Sequence, residues 1–90
     1  MAILTNSGRV ANGIRNVRFT STQTITNFLN GKHGQTITVY AGSGVLTFVQ
    51  SSSIKLIGSA NYTTSGTYMT NITFTNFNGT WFEVCRAAYS

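Results

Sequence analysis

The sequence predicts an all-β domain, a small antiparallel β-sandwich of jelly-roll type, and three observations carry that reading. Helical periodicity is nearly absent, while β-branched and aromatic residues recur in short alternating runs separated by Gly, Asn and Ser. No proline interrupts a ladder. Only 8% of the 90 residues are charged, against about a quarter in an ordinary soluble domain, so the hydroxyls and amides of 15 threonines, nine serines and nine asparagines must cover the surface.

Taken in order, the first twenty residues fit this pattern least. Ile14, Val17 and Phe19 do not alternate cleanly, so residues 1–20 are expected as a connector or interface segment ordered against partner chains, ahead of a β-sandwich module over 21–90. From 35 to 40, Ile37 and Val39 alternate with Thr36 and Thr38, giving a buried and a polar face. From 45 to 49, Leu46 and Phe48 share a face; from 54 to 57, Ile54 and Leu56 point away from Lys55. In 68–75, Ile72 and Phe74 oppose Asn71, Thr73 and Thr75, and in 80–86, Phe82 and Val84 oppose Trp81, Glu83 and Cys85. That last strand is apolar on both faces, which suits a central strand or one covered by a neighbouring subunit. Asn78 and Gly79 between these two strands predict an antiparallel hairpin. Further turns are expected at Asn30 and Gly31, His33 and Gly34, Gly42 to Gly44, Gly58 and Gly66.

Ninety residues make one domain, and a domain of that size buries only about 60–65% of its unfolded surface, so oligomerisation would help it. Cys85 is the single cysteine and cannot pair within the chain; it reads as a small buried strand residue rather than a reactive thiol. The net charge of +5 comes from Arg9, Arg15, Arg18, Lys32, Lys55 and Arg86 set against one carboxylate, Glu83. These cations are dispersed rather than packed into a run, so no nucleic acid partner is expected. Met1 to Leu4 lacks the features of a secretory signal, and no segment is long enough for a membrane span, so no membrane partner is expected either.

The segments 25–28 (Ile-Thr-Asn-Phe), 30–31 (Asn-Gly), 34–39 (Gly-Gln-Thr-Ile-Thr-Val), 54–58 (Ile-Lys-Leu-Ile-Gly) and 78–86 (Asn-Gly-Thr-Trp-Phe-Glu-Val-Cys-Arg) together resemble a small β module. That module stands at the carboxyl end of bacteriophage tailspike and tail-fibre proteins, behind a parallel β-helix, and the resemblance covers residues 22–86. It implies a homotrimer at the virion's tail tip whose terminal module closes and caps the trimer and contacts host surface polysaccharide. Some phage spike ends are self-cleaving chaperones, but with one carboxylate the sequence gives that chemistry no support.

Glu83 and Arg86 occupy the closing motif. In an extended strand they point to opposite faces, so a direct pair is not expected without a bend, and Arg9, Arg15, Arg18 or a neighbouring subunit is the expected partner of Glu83. Arg15, Arg18, Glu83 and Arg86 are therefore the candidate interface residues. Glycoside hydrolysis by the usual route needs two acids, and the chain is not expected to be an enzyme. For sugar contact, Tyr62 and Asn61 in a turn-rich stretch, Tyr40 and Tyr68 at strand ends, and Trp81 are the candidates, because aromatic faces beside amides and hydroxyls suit a polysaccharide. The alternative to a trimerising cap is accordingly a carbohydrate-binding module. His33 has no ligand partner at metal-site spacing, and the segment 42–44 lacks the Lys and helix of a phosphate loop, so no cofactor or metal is expected.

Overall fold

In the computed structural model the described residues are 2–4, 16–19, 22–28, 32–42 and 44–89. They form nine strands and no helix: β1 (Ala2–Leu4), β2 (Asn16–Phe19), β3 (Gln23–Ile25), β4 (Thr36–Ala41), β5 (Leu46–Phe48), β6 (Ile54–Lys55), β7 (Tyr62–Thr63), β8 (Thr70–Phe77) and β9 (Thr80–Ala88). The larger sheet has the order β1-β2-β4-β8-β9-β6 and the smaller β3-β5-β7.

The first half of the chain winds. It passes from β2 in the large sheet to β3 in the small one, returns to β4, and crosses again to β5. Each pass stacks in parallel on the one before: Val17 lies beside Val39, and Gln23 beside Leu46. β1 continues the same stacking, with Ala2 beside Val17. Both sheets are therefore mixed, and this corrects the antiparallel sandwich expected from sequence. Alternation of apolar and polar residues is identical in the two kinds of strand, so it carries no information on direction. The connection lengths do: only Phe77 to Thr80 is joined by a two-residue turn, whereas parallel partners need a long crossover.

The two sheets share one core. Val17, Ile37, Val39, Ile72, Phe74 and Trp81 enter it from the large sheet, and Ile25, Leu46 and Phe48 from the small one. Phe28, on the connection after β3, is its hub, with ring centroids 5.4 Å from Phe74, 5.8 Å from Trp81 and 6.5 Å from Phe19. Burying each such side chain stabilises the fold by about 1.5–3 kcal/mol. Within the stretch expected as a connector, Asn16–Phe19 is a strand whose Val17 and Phe19 alternate with exposed Arg18 and belong to this core. Ile14 and the turn expected at Asn30 and Gly31 lie outside the described residues, as does Ser43 of the turn at 42–44.

The second half ends in the hairpin that the Asn-Gly pair predicts. Asn78 and Gly79 take φ of 52° and 91°, the left-handed geometry of a two-residue turn whose twist matches the strands. Four pairs from the turn the ladder slips: Phe74 faces Glu83 but Thr73 faces Cys85, so Val84 is an extra, bulged residue. This hairpin occupies an unusual place. β6 runs in the same direction as β4, yet β8 and β9 lie between them.

Candidate functional site

The bulge at Val84 determines the chemistry of the last strand. One extra residue restores Glu83 and Arg86 to the same side, and the two form a direct pair, with Arg86 Nε donating to Glu83 Oε2 at 2.6 Å and Nη2 to Oε1 at 2.7 Å. This corrects the expectation that Glu83 pairs outside its own strand. Ile57 N donates to Oε1 at 2.9 Å, and the Arg86 guanidinium lies 3.9 Å from the centroid of the Tyr62 ring. β9 of the large sheet, the turn after β6 and β7 of the small sheet are thereby clamped at one point.

Burial of Glu83 disfavours its charge, but the Arg86 hydrogen bonds, the Ile57 N–H and the Arg86 charge together outweigh it and hold the carboxyl below its ordinary pKa. Its bond to Glu83 raises the Arg86 pKa in turn, against the cost of burial. Glu83 is thus an ionised acceptor with both oxygens occupied, the geometry of a register-fixing ion pair.

Trp81 corrects a second expectation. It is 0% exposed, its Nε1–H donates to Phe28 O at 2.9 Å, and it offers no face to a sugar. The other four sugar candidates are dispersed. Tyr40 is half-buried on the outer face of the large sheet, between Arg18 and Asn71 in register. Asn61 is exposed, but its Oδ1 accepts from Gln50 N; Tyr62 carries Arg86 over its ring; Tyr68 is exposed in the link before β8. Of the interface candidates, Arg18 is exposed, Glu83 and Arg86 form the clamp, and Arg15 lies outside the described residues, as does Arg9. Cys85 is exposed rather than buried, because it follows the bulge and faces outward opposite Thr73.

The outer face of the hairpin carries Phe82 and Val84, which alternation already placed together, and Phe77, which it left unassigned. Phe77 is 58% exposed, Phe82 42% and Val84 55%. The Phe77 ring lies 6.5 Å from that of Phe82 and 5.2 Å from that of His33, and His33 Nδ1 accepts from Asn78 N. Beside this stripe, paired threonine hydroxyls cross from β4 to β8: Thr36 to Thr75 at 3.3 Å and Thr38 to Thr73 at 3.2 Å. A signal existed: Phe77 adjoins the Asn-Gly turn and keeps step with Thr73 and Thr75, the polar side of its strand. Among the described residues no group of His, Cys, Asp or Glu could hold a metal ion, and no helix is long and apolar enough to cross a membrane. No family model, curated protein or solved structure matches the chain.

Proposed function

We propose that this domain is the carboxyl-terminal trimerisation and capping module of a phage tailspike or tail fibre, located at the tail tip, with contact to host surface polysaccharide as a secondary role. The observation that carries the reading is the junction of two architectures. Parallel passes stacked as in a β-helix end against an antiparallel hairpin, and that hairpin presents Phe77, Phe82 and Val84 outward. A stack of parallel coils leaves unpaired edges that need covering. Exposed apolar side chains gathered into a stripe beside laced threonine hydroxyls mark a contact between proteins. Covering it between subunits returns about 25 cal/mol per Å² of apolar area.

The test is mass in solution. The 90-residue chain should sediment as a trimer at micromolar concentration, and a monomer there removes the reading. Replacing Phe82 and Val84 together by Ser should release folded monomers, checked by sedimentation and by an unchanged far-ultraviolet circular dichroism spectrum.

The second reading, a carbohydrate-binding module, draws support from Tyr68 and from the Phe77 and Phe82 rings beside the Thr75 and Thr80 side chains. Calorimetry with bacterial polysaccharide separates the two. Binding that Phe82→Ala abolishes in a monomeric protein favours the module; absence of binding at millimolar saccharide favours the cap.

A further inference from the structure

We propose that, in the assembled protein, the slot between β4 and β6 is filled by the β8–β9 hairpin of a second copy, so that neighbouring chains are fastened by exchanging hairpins. The proposal rests on the trimer reading for the presence of neighbours, and on the following geometry for the exchange.

A regular coil running β4 to β5 to β6 would stack β6 directly beside β4. Here two strands intervene, so β6 stands three strand spacings, roughly 14 Å, from β4 instead of one. The slot and its filler are complementary along both edges. β8 pairs with β4 from Thr36↔Thr75 to Ala41↔Thr70, and β9 pairs with β6 at Ile54↔Trp81 and Lys55↔Phe82. The hairpin also brings Ile72, Phe74 and Trp81 into the core, and exchanges Gly34 N to Asn76 O and Asn76 N to Gln35 O with the chain ahead of β4. A hairpin from an identical chain reproduces each of these contacts, so exchange requires no new surface.

The link that decides between the two arrangements is residues 65–69. On one side Thr64 is anchored to β5, its N–H donating to Leu46 O and its hydroxyl accepting from Leu46 N. On the other β8 begins at Thr70. Between them Ser65, Thr67, Tyr68 and Met69 are exposed, and the reversal is held by Ser65 Oγ accepting from Thr67 N and Tyr68 N. Gly66 sits at φ 78°, where a Cβ would come within 2.6 Å of Val45 Cγ2. Straightened, such a link reaches about 17 Å, and everything beyond it moves with the hairpin. A short hinge of this kind permits exchange as well as folding back, and only glycine at position 66 fits the folded-back form. In a trimer each slot meets neighbouring hairpins at an effective concentration on the order of millimolar.

A disulfide across the slot reports whose hairpin fills it. Thr38 and Thr73 are paired residues with hydroxyls 3.2 Å apart, so Thr38→Cys with Thr73→Cys should bridge once oxidised. Cys85, which faces Thr73, is replaced by Ser. The assembled protein is oxidised, weighed by sedimentation, then run on a non-reducing denaturing gel. Exchange predicts covalently linked dimers and trimers that collapse to single chains on reduction. A trimer by sedimentation that runs as single chains on the gel overturns the exchange and leaves the trimer reading standing. Single chains by both measurements overturn both. Should this variant fail to fold, Thr36→Cys with Thr75→Cys places the same reporter at the neighbouring pair, whose hydroxyls are 3.3 Å apart.

Discussion

Between Asn16 and Phe48 the chain builds its sheets by parallel stacking, each strand meeting a partner a full pass away, whereas between Thr70 and Ala88 two strands meet across a two-residue turn. The contacts of the first region are non-local and carry the entropy of closing long loops. Those of the second are local, yet an isolated hairpin is marginal in water. Each region therefore lacks what the other supplies: the stacked passes have open edges and an incomplete core, and the hairpin has Ile72, Phe74 and Trp81 with nowhere to bury them until it docks. The hairpin thus closes a coil to which it does not itself belong.

Removal of a large side chain from each region tests their mutual dependence most severely. Trp81→Ala in the hairpin and Phe48→Ala in the small sheet should each cost about 3–5 kcal/mol, since both are fully buried. If the regions form one cooperative unit, tyrosine fluorescence and far-ultraviolet circular dichroism give one midpoint in denaturant for both variants. Separate midpoints in Trp81→Ala alone would show the hairpin melting ahead of the coils.

A smaller effect is expected at the clamp that ties the regions together. Arg86→Ala leaves the Glu83 carboxylate buried without its cation and should cost about 3 kcal/mol. The same pair sets the acid response. Because the folded Glu83 pKa lies below its unfolded value, which is about 4.3, its contribution is present above that value and is lost as pH falls through the folded one. Glu83→Gln should flatten the acid limb of stability against pH, measured by denaturant titrations between about pH 7 and pH 2. Smallest is the turn: Gly79→Ala, at φ 91° with no neighbour within 4 Å, should cost about 1 kcal/mol from backbone conformation alone. A much larger loss would mean that the turn also directs docking.

Much of the hairpin was legible in the sequence because its signals are local. Asn78 and Gly79 define the turn, and Ile72 and Phe74 alternate with Asn71, Thr73 and Thr75 on the faces expected. Of the parallel half only β4 and β5 were legible, and only as strands, since neither direction nor partner leaves a mark on alternation; β1 and β3, three residues each, are too short to show a period. β2 escaped because four residues, Asn-Val-Arg-Phe, give only two apolar positions to a period. The clamp escaped for a different reason. A period-two reading must place Glu83 and Arg86 on opposite faces, and a single unpaired Val84 reverses that conclusion for everything after it. The exposure of Cys85 follows from the same slip, whereas Glu83 shares the buried face of Trp81 by ordinary alternation.

The threonine pairs across β4 and β8 and across β5 and β7 have an implication for the medium in which the domain can work. Hydroxyl lacing carries no charge for salt to screen and does not titrate in the ordinary pH range, so neither salt nor mild acid should loosen it. Among the described residues the ion pair that acid would open, Glu83 with Arg86, is set inside that lacing.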